Sequence, residues 1–86
     1  MNIILIYDIQ EKRVNKIYKI CREYLEHVQN SVFEGEISDS HFKEMINKIK
    51  NIINAESDSV IIYHLWNSSY QKEIIGINKN NMSNII

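Results

Sequence analysis

The chain opens with Met1-Asn2-Ile3-Ile4-Leu5-Ile6-Tyr7-Asp8-Ile9, an apolar and β-branched run that leaves neither parity polar. A strand buried on one face alternates polar with apolar, so a run apolar at both parities predicts a strand covered on both sides. Such a strand belongs inside a sheet, and a chain of 86 residues has little else with which to cover it. The run presents one carboxylate, Asp8, at its end and just before a helix signal. Sheet meets solvent there, and many α/β proteins build their sites at that position. Asp8 is therefore the first candidate for chemistry.

Helical spacing follows. Gln10 to Arg13 reads as a polar connection, with Glu11 suited to the positive end of a helix dipole. Val14, Ile17, Tyr18, Cys21, Tyr24 and Leu25 then share one face, while Lys12, Lys16 and Lys19 fall on the opposite side with Arg22 adjacent, at about 100° per residue. A charge run of this kind is ordinarily a solvated face. From His27 to Ile37 the chain is extended, with Gly35 as the turn or bulge signal, and one long bent strand or two short strands satisfy the pattern equally. Ser38 offers an N-cap and Asp39 a favourable first-turn charge. Phe42, Met45, Ile46, Ile49, Ile52 and Ile53 give a second amphipathic helix, followed by a polar stretch from Asn54 to Asp58. Ser59 to Trp66 is a strand apolar at both parities, and Lys72 to Ile77 reads as one more.

Composition narrows the function without naming it. The net charge is −1, so nucleic-acid binding needs a local basic patch rather than an overall excess. With a single cysteine, Cys21, no intrachain disulfide forms, and the opening run lacks the basic start and cleavage site of a signal peptide. No apolar run approaches the roughly 20 residues of a membrane span. The expectation is a cytoplasmic protein with one domain over residues 1–77 and a polar, Asn-rich tail over 78–86.

If residues 27–37 supply two strands, the order is that of a split βαβ arrangement: an α+β, ferredoxin-like βαββαβ sandwich with an additional C-terminal strand. Both helices then cover one sheet face. The other face, apolar in the first strand and in Val60 to Trp66, is too large an apolar surface to leave in water. A homodimer packed sheet against sheet around a two-fold axis is the economical solution.

Ile4-Leu5-Ile6-Tyr7-Asp8-Ile9, then Lys12-Arg13, then Val28-Gln29-Asn30-Ser31-Val32-Phe33-Glu34-Gly35-Glu36, and finally Asp58-Ser59-Val60-Ile61-Ile62-Tyr63 resemble, in this order, the CRISPR-associated protein 2 family. The similarity runs from Met1 to about Gly76. Each motif is weak singly, and together they are specific. The resemblance implies a ferredoxin-like dimer holding a divalent metal, usually Mg2+, near Asp8 of both subunits. It implies metal-dependent endonuclease activity in some members, on single-stranded RNA or double-stranded DNA. It also implies a scaffold that bridges CRISPR integrase dimers along the DNA to be inserted during spacer acquisition. Lys12 and Arg13 fit the family's basic start of helix one, and Ser31 and Phe33 its Ser-x-Phe element. Glu73 to Gly76 fits a late strand that reaches across the dimer or contacts the integrase. The tail departs from the pattern.

A lone aspartate holds magnesium poorly, because the ion keeps an octahedral oxygen shell usually built from one or two carboxylates, waters and substrate phosphates. A two-fold axis near Asp8 would bring the second carboxylate. Asp in this position is ordinarily a cap or turn residue; the surrounding family motif outweighs that reading. His27, His41 and His64 lack metal-ligand spacing and read as structural or surface groups. Cys21 should be an inert buried thiol, and Trp66, ending a buried strand, should pack in the core or dimer seam. The expected function is a dimeric scaffold that binds duplex DNA through Lys12, Arg13, Lys16 and Lys19, with an Asp8-dependent endonuclease beside it. A toxin-type ribonuclease of the virulence-associated class is the alternative.

Overall fold

The opening run does lie inside a sheet. The computed structural model describes residues 1–79. In chain order the elements are β1 (Asn2–Asp8), α1 (Glu11–Tyr24), β2 (Glu26–Gln29), β3 (Val32–Glu36), α2 (Asp39–Ile52), β4 (Ser59–Trp66) and β5 (Ser69–Gly76). They form a five-stranded sheet in the order β2-β3-β1-β4-β5, antiparallel throughout, with β1 at its centre. This is the expected ferredoxin-like layout with its extra C-terminal strand. Residues 80–86 of the tail lie outside the described residues.

Residues 27–37 resolve into two strands, and the turn falls at Asn30 rather than at Gly35. Asn30 has φ 45°, a left-handed conformation that asparagine tolerates better than most residues. Gly35 lies within β3. The last hairpin is longer than its apolar pattern suggests: β4 and β5 pair in unbroken register from Ser59 opposite Gly76 to Trp66 opposite Ser69. Asn67, with φ 30°, supplies the tight turn. Trp66 therefore sits at the hairpin tip and is 51% exposed, not packed in a core.

Register decides which side chains share a face. Ile3, Leu5, Tyr7, Phe33, Val60, Ile62 and Ile75 are buried together with Ile17, Cys21, Met45, Ile46 and Ile49 of the two helices. Phe33 is central: its ring lies 6.1 Å from that of Tyr7 and 5.6 Å from that of Tyr18. Ser38 caps α2 as its sequence indicates, its Oγ accepting from the His41 N–H at 3.2 Å. The helices are joined at their surface by the Tyr24 hydroxyl donating to Glu44 at 2.8 Å and by Lys48 with Glu23 at 3.2 Å. No helix among the described residues is long and apolar enough to cross a membrane.

Among the described residues, no helix lies over the other sheet face. Ile4 lies opposite Tyr63, Ile6 opposite Ile61 on one side and Val32 on the other, and Ile61 opposite Ile74. All six are only partly buried, while Leu65 and Tyr70 beside them are 39% and 65% exposed. Among the described residues, the two-sided apolarity of β1 thus has a cover on one side only.

Gly76 closes the sheet against the start of β4. Its φ is +88°, and a Cβ there would run into the backbone carbonyl of Asp58, which accepts the Ile77 N–H at 2.9 Å. Gly76→Ala should therefore lower stability by at least about 2 kcal/mol, from backbone strain and displacement together. Urea unfolding followed by circular dichroism reads this as a lower midpoint.

Candidate functional site

Asp8 stands on the last rung of β1, opposite Ser59. The pleat puts it at the same parity as Ile4 and Ile6, so it ends the uncovered face. Its carboxylate is 73% exposed, and Oδ2 lies 3.1 Å from Nζ of Lys79. The same ammonium reaches the Asp8 carbonyl at 3.5 Å. The carboxylate thus already has one cationic partner, the Lys79 ammonium. Among the described residues no three His, Cys, Asp or Glu side chains gather where they could hold a metal. One exposed carboxylate per chain fits a hard, oxygen-seeking ion only as half a site, with the rest of the shell coming from a second carboxylate, water and phosphate.

What aims Asp8 lies just behind it. The helix α1 begins at Glu11 after Gln10, which makes no side-chain cap. A capping carboxylate arrives instead from far along the chain: Asp58, with no exposed surface, accepts the Gln10 N–H at 3.0 Å. Asp58 also accepts Arg13 Nε at 2.6 Å, Arg13 Nη2 at 3.0 Å and the Asn54 N–H at 2.9 Å. The forked guanidinium meets both carboxylate oxygens, the strongest arrangement such a pair adopts. Arg13 extends the network to Gln10 Oε1 at 2.8 Å and Ser57 Oγ at 3.3 Å. One buried acid thereby ties the end of α2, the start of β4 and the Asp8–Glu11 turn together.

The electrostatics follow from this geometry. The Arg13 hydrogen bonds hold the Asp58 carboxyl well below the usual carboxylate range, against the upward push of burial, and the Asn54 and Gln10 amides add to the effect. Arg13 is raised in turn, chiefly by its hydrogen bond to Asp58.

Of the basic residues singled out in the sequence, Lys12, Lys16 and Lys19 are exposed on α1. None of the three takes an acidic partner among the described residues. Arg13 does not join them. Its side chain is 14% exposed and engaged with Asp58, so its expected part in nucleic-acid contact gives way to a structural one. Arg22 is drawn toward the Tyr18 ring, 6.0 Å from its centroid. Cys21 is buried, and burial pushes its thiol up to about 12, which leaves it inert. The histidines stand apart: Nε2–H of His27 donates to the Asn30 carbonyl at 2.7 Å, His64 pairs with Glu73 at 3.1 Å, and the His41 ring lies 6.1 Å from that of Tyr24. A shallow open groove of about 400 Å³, lined by Glu26, Glu34, Glu36, Ile4 and Leu65 among others, lies toward the opposite end of β1 from Asp8.

Asp58 was not visible as a site residue in the sequence. Its only local signal is its place before an apolar strand at the close of a polar loop, where its partners Arg13 and Gln10, 45 and 48 residues away, leave no trace.

Residues 1–73 match the family model described as CRISPR associated protein Cas2. The chain belongs to the Cas2 family. It is 46% identical over 86 residues to a Pyrococcus furiosus protein named CRISPR-associated endoribonuclease Cas2, and 42% identical over 87 residues to one of the same name from Dictyoglomus turgidum, with both chains covered in full in each case. Among solved structures, one described as a crystal structure of Cas2 superimposes with TM-score 0.74 at 38% identity, over 92% of this chain and 90% of that one. Streptococcus pyogenes Cas2 gives TM-score 0.71 at 30% identity, over 77% and 87%. The Cas2 resemblance of the motifs from Tyr7-Asp8 to Asp58–Tyr63 is thus a family membership, and the CRISPR association comes with it.

All four hydrogen bonds into Asp58 come from N–H donors, so Asp58→Asn sets an amide NH2 against some of them and leaves the Arg13 cation without its counter-charge. The variant should lose on the order of 3 kcal/mol at pH 7. Because the folded-state carboxyl is held below its unfolded value, the pair's contribution is complete above pH ~4 and is lost as pH falls below that. The stability gap between wild type and Asp58→Asn, read by urea unfolding at several pH values, should therefore narrow in acid.

Proposed function

We propose that two copies pack through the uncovered sheet face, and that the resulting dimer is a nucleic-acid scaffold of CRISPR adaptation with an Asp8-dependent endonuclease centre on its axis. The observation that carries the reading is the join of an apolar, helix-free face to an exposed carboxylate at its end. Ile4, Ile6, Val32, Ile61, Tyr63 and Ile74 are only partly buried, with no helix over them among the described residues. Each fully buried side chain of this size stabilises by about 1.5–3 kcal/mol, ample to drive association.

Charge favours one orientation. Glu34 and Glu36 flank the face on β3, where Glu34 also lies opposite Glu26, a like-charge neighbour. Lys72 flanks it on β5, opposite Tyr63. A two-fold axis parallel to the strands and close to β1 lays the β3 flank of one copy over the β4–β5 flank of the other, acid against base. The same axis keeps both Asp8 residues at one end. Packed sheets lie about 10 Å apart, so two carboxylates pointing inward from facing strands come within reach of one hydrated ion.

The exposed Lys12, Lys16 and Lys19 of each copy then form paired stripes for the phosphates of a duplex, read without regard to sequence. Arg13 serves this surface by fixing α1 rather than by touching nucleic acid. In the family setting, the DNA so held is the fragment presented to the CRISPR integrase, in the cytoplasm. A divalent ion, magnesium by preference, supplies at the Asp8 pair a water of lowered pKa and charge stabilisation on the phosphodiester. The chain's own part is to place two carboxylates and to hold the backbone nearby. That the relatives are named endoribonucleases favours RNA as the cleaved substrate. The sparse donor set suits slow cleavage.

Asp8→Asn should abolish cleavage of single-stranded RNA while leaving the dimer mass unchanged and duplex affinity within about twofold. Cleavage that survives in rigorously purified variant protein removes Asp8 from the reaction. With six stripe lysines per dimer, the logarithm of duplex affinity should fall with the logarithm of salt at a slope of about −5, and Lys12→Glu with Lys16→Glu should flatten it. Affinity that does not respond to salt contradicts the stripe as the DNA surface.

A further inference from the structure

The chain emerging from β5 returns to the far end of β1. Ile77 donates to the Asp58 carbonyl at 2.9 Å, and two residues later the Lys79 side chain reaches Asp8. Its Nζ lies 3.1 Å from Oδ2 and 3.5 Å from the main-chain oxygen of the same residue. Both contacts are with oxygens of Asp8, the kind of ligand a hard cation takes. Lys79 is 37% exposed and the carboxylate 73% exposed, so the pair is open to solvent and exchangeable.

We infer that Lys79 is a resident counterion of the Asp8 site, which a divalent cation must displace in order to bind. The inference rests on the metal reading of Asp8 proposed above and adds a residue to it. An ammonium within 3.1 Å of the carboxylate and a divalent ion on the same oxygens repel one another, and only one of them occupies the position. Released from Asp8, the lysine remains tethered beside it by the Gly76–Ile77 closure, where its charge is available to a phosphate of the bound nucleic acid. Metal affinity in the absence of nucleic acid is therefore held down, and nucleic acid favours loading of the ion by giving Lys79 another partner.

Exposed ion pairs are weak, which sets the size of the effect. Removing the competitor should tighten divalent binding by roughly three- to fivefold, as for a surface pair of this kind. The test is titration of the full chain with Mn2+, followed by electron paramagnetic resonance of the free ion, for wild type, Lys79→Gln, Lys79→Arg, Asp8→Asn and Lys43→Gln. Lys43, in the first turns of α2, controls for the loss of one positive charge. Tighter Mn2+ binding in Lys79→Gln, with Lys79→Arg and Lys43→Gln close to wild type and Asp8→Asn devoid of the site, supports the inference. Equal affinity in wild type and Lys79→Gln, with the site still lost in Asp8→Asn, overturns the role of Lys79 and leaves the metal reading standing. Binding that Asp8→Asn does not alter overturns both.

Discussion

A central strand apolar on both faces has to be covered on both faces, and the described residues of this chain cover only one. Everything else in the molecule follows from how that shortage is met. α1 and α2 close over Ile3, Leu5, Tyr7, Phe33, Val60 and Ile62, leaving those side chains with almost no exposed surface. On the other side Ile4, Ile6, Ile61 and Tyr63 remain half-covered. The proposed cover is a second copy, and the strand it would cover is also the strand that carries Asp8. On the proposed reading, folding, association and chemistry are coupled through β1.

The Asp58–Arg13 pair solves a different problem. The turn from β1 into α1 has no proline, no glycine and no side-chain cap at Gln10, so nothing local fixes the direction in which the strand ends. A buried carboxylate brought in from the start of β4 does so, accepting from the turn, from the first turn of α1 and from the end of α2 in one place. Its geometry is satisfied on every side, which is the condition under which a buried ion pair confers specificity without leaving an uncompensated charge.

Much of the architecture is legible in the sequence because it is written in short-range patterns. The periods of β1, α1 and α2, the Ser38 cap and the apolar parities of β4 are all local, and the structure follows each of them. What escapes is non-local or depends on a single turn. Asp58 looks like loop because its meaning lies with Gln10 and Arg13. Arg13 looks like a member of the lysine stripe because helical spacing records direction and not partners. The break between β2 and β3 rests on the left-handed conformation of Asn30, which an asparagine permits and does not announce. Trp66 reads as core or dimer seam from its apolar neighbours, and the Asn67 turn places it at a tip outside the chain's own core. For the candidate site, Asp8 is visible as the end of a buried strand, whereas Lys79 lies in a polar tail with no pattern at all.

The account stands on two sheets meeting so that their Asp8 ends converge. Replacing Asp8 with cysteine tests this directly, since Cys21 is buried and its thiol is held in the unreactive form, so the background needs no second change. When dilute Asp8→Cys protein is treated with a short bis-maleimide, whose reach spans facing sheets about 10 Å apart where a direct disulfide would not, denaturing electrophoresis should show rapid and nearly complete conversion to a covalent dimer, while Lys43→Cys, in the first turns of α2, stays monomeric on the gel. A chain that light scattering finds at 10.2 kDa, or a dimer in which Asp8→Cys fails to cross-link, contradicts the shared axis and with it the paired carboxylate site.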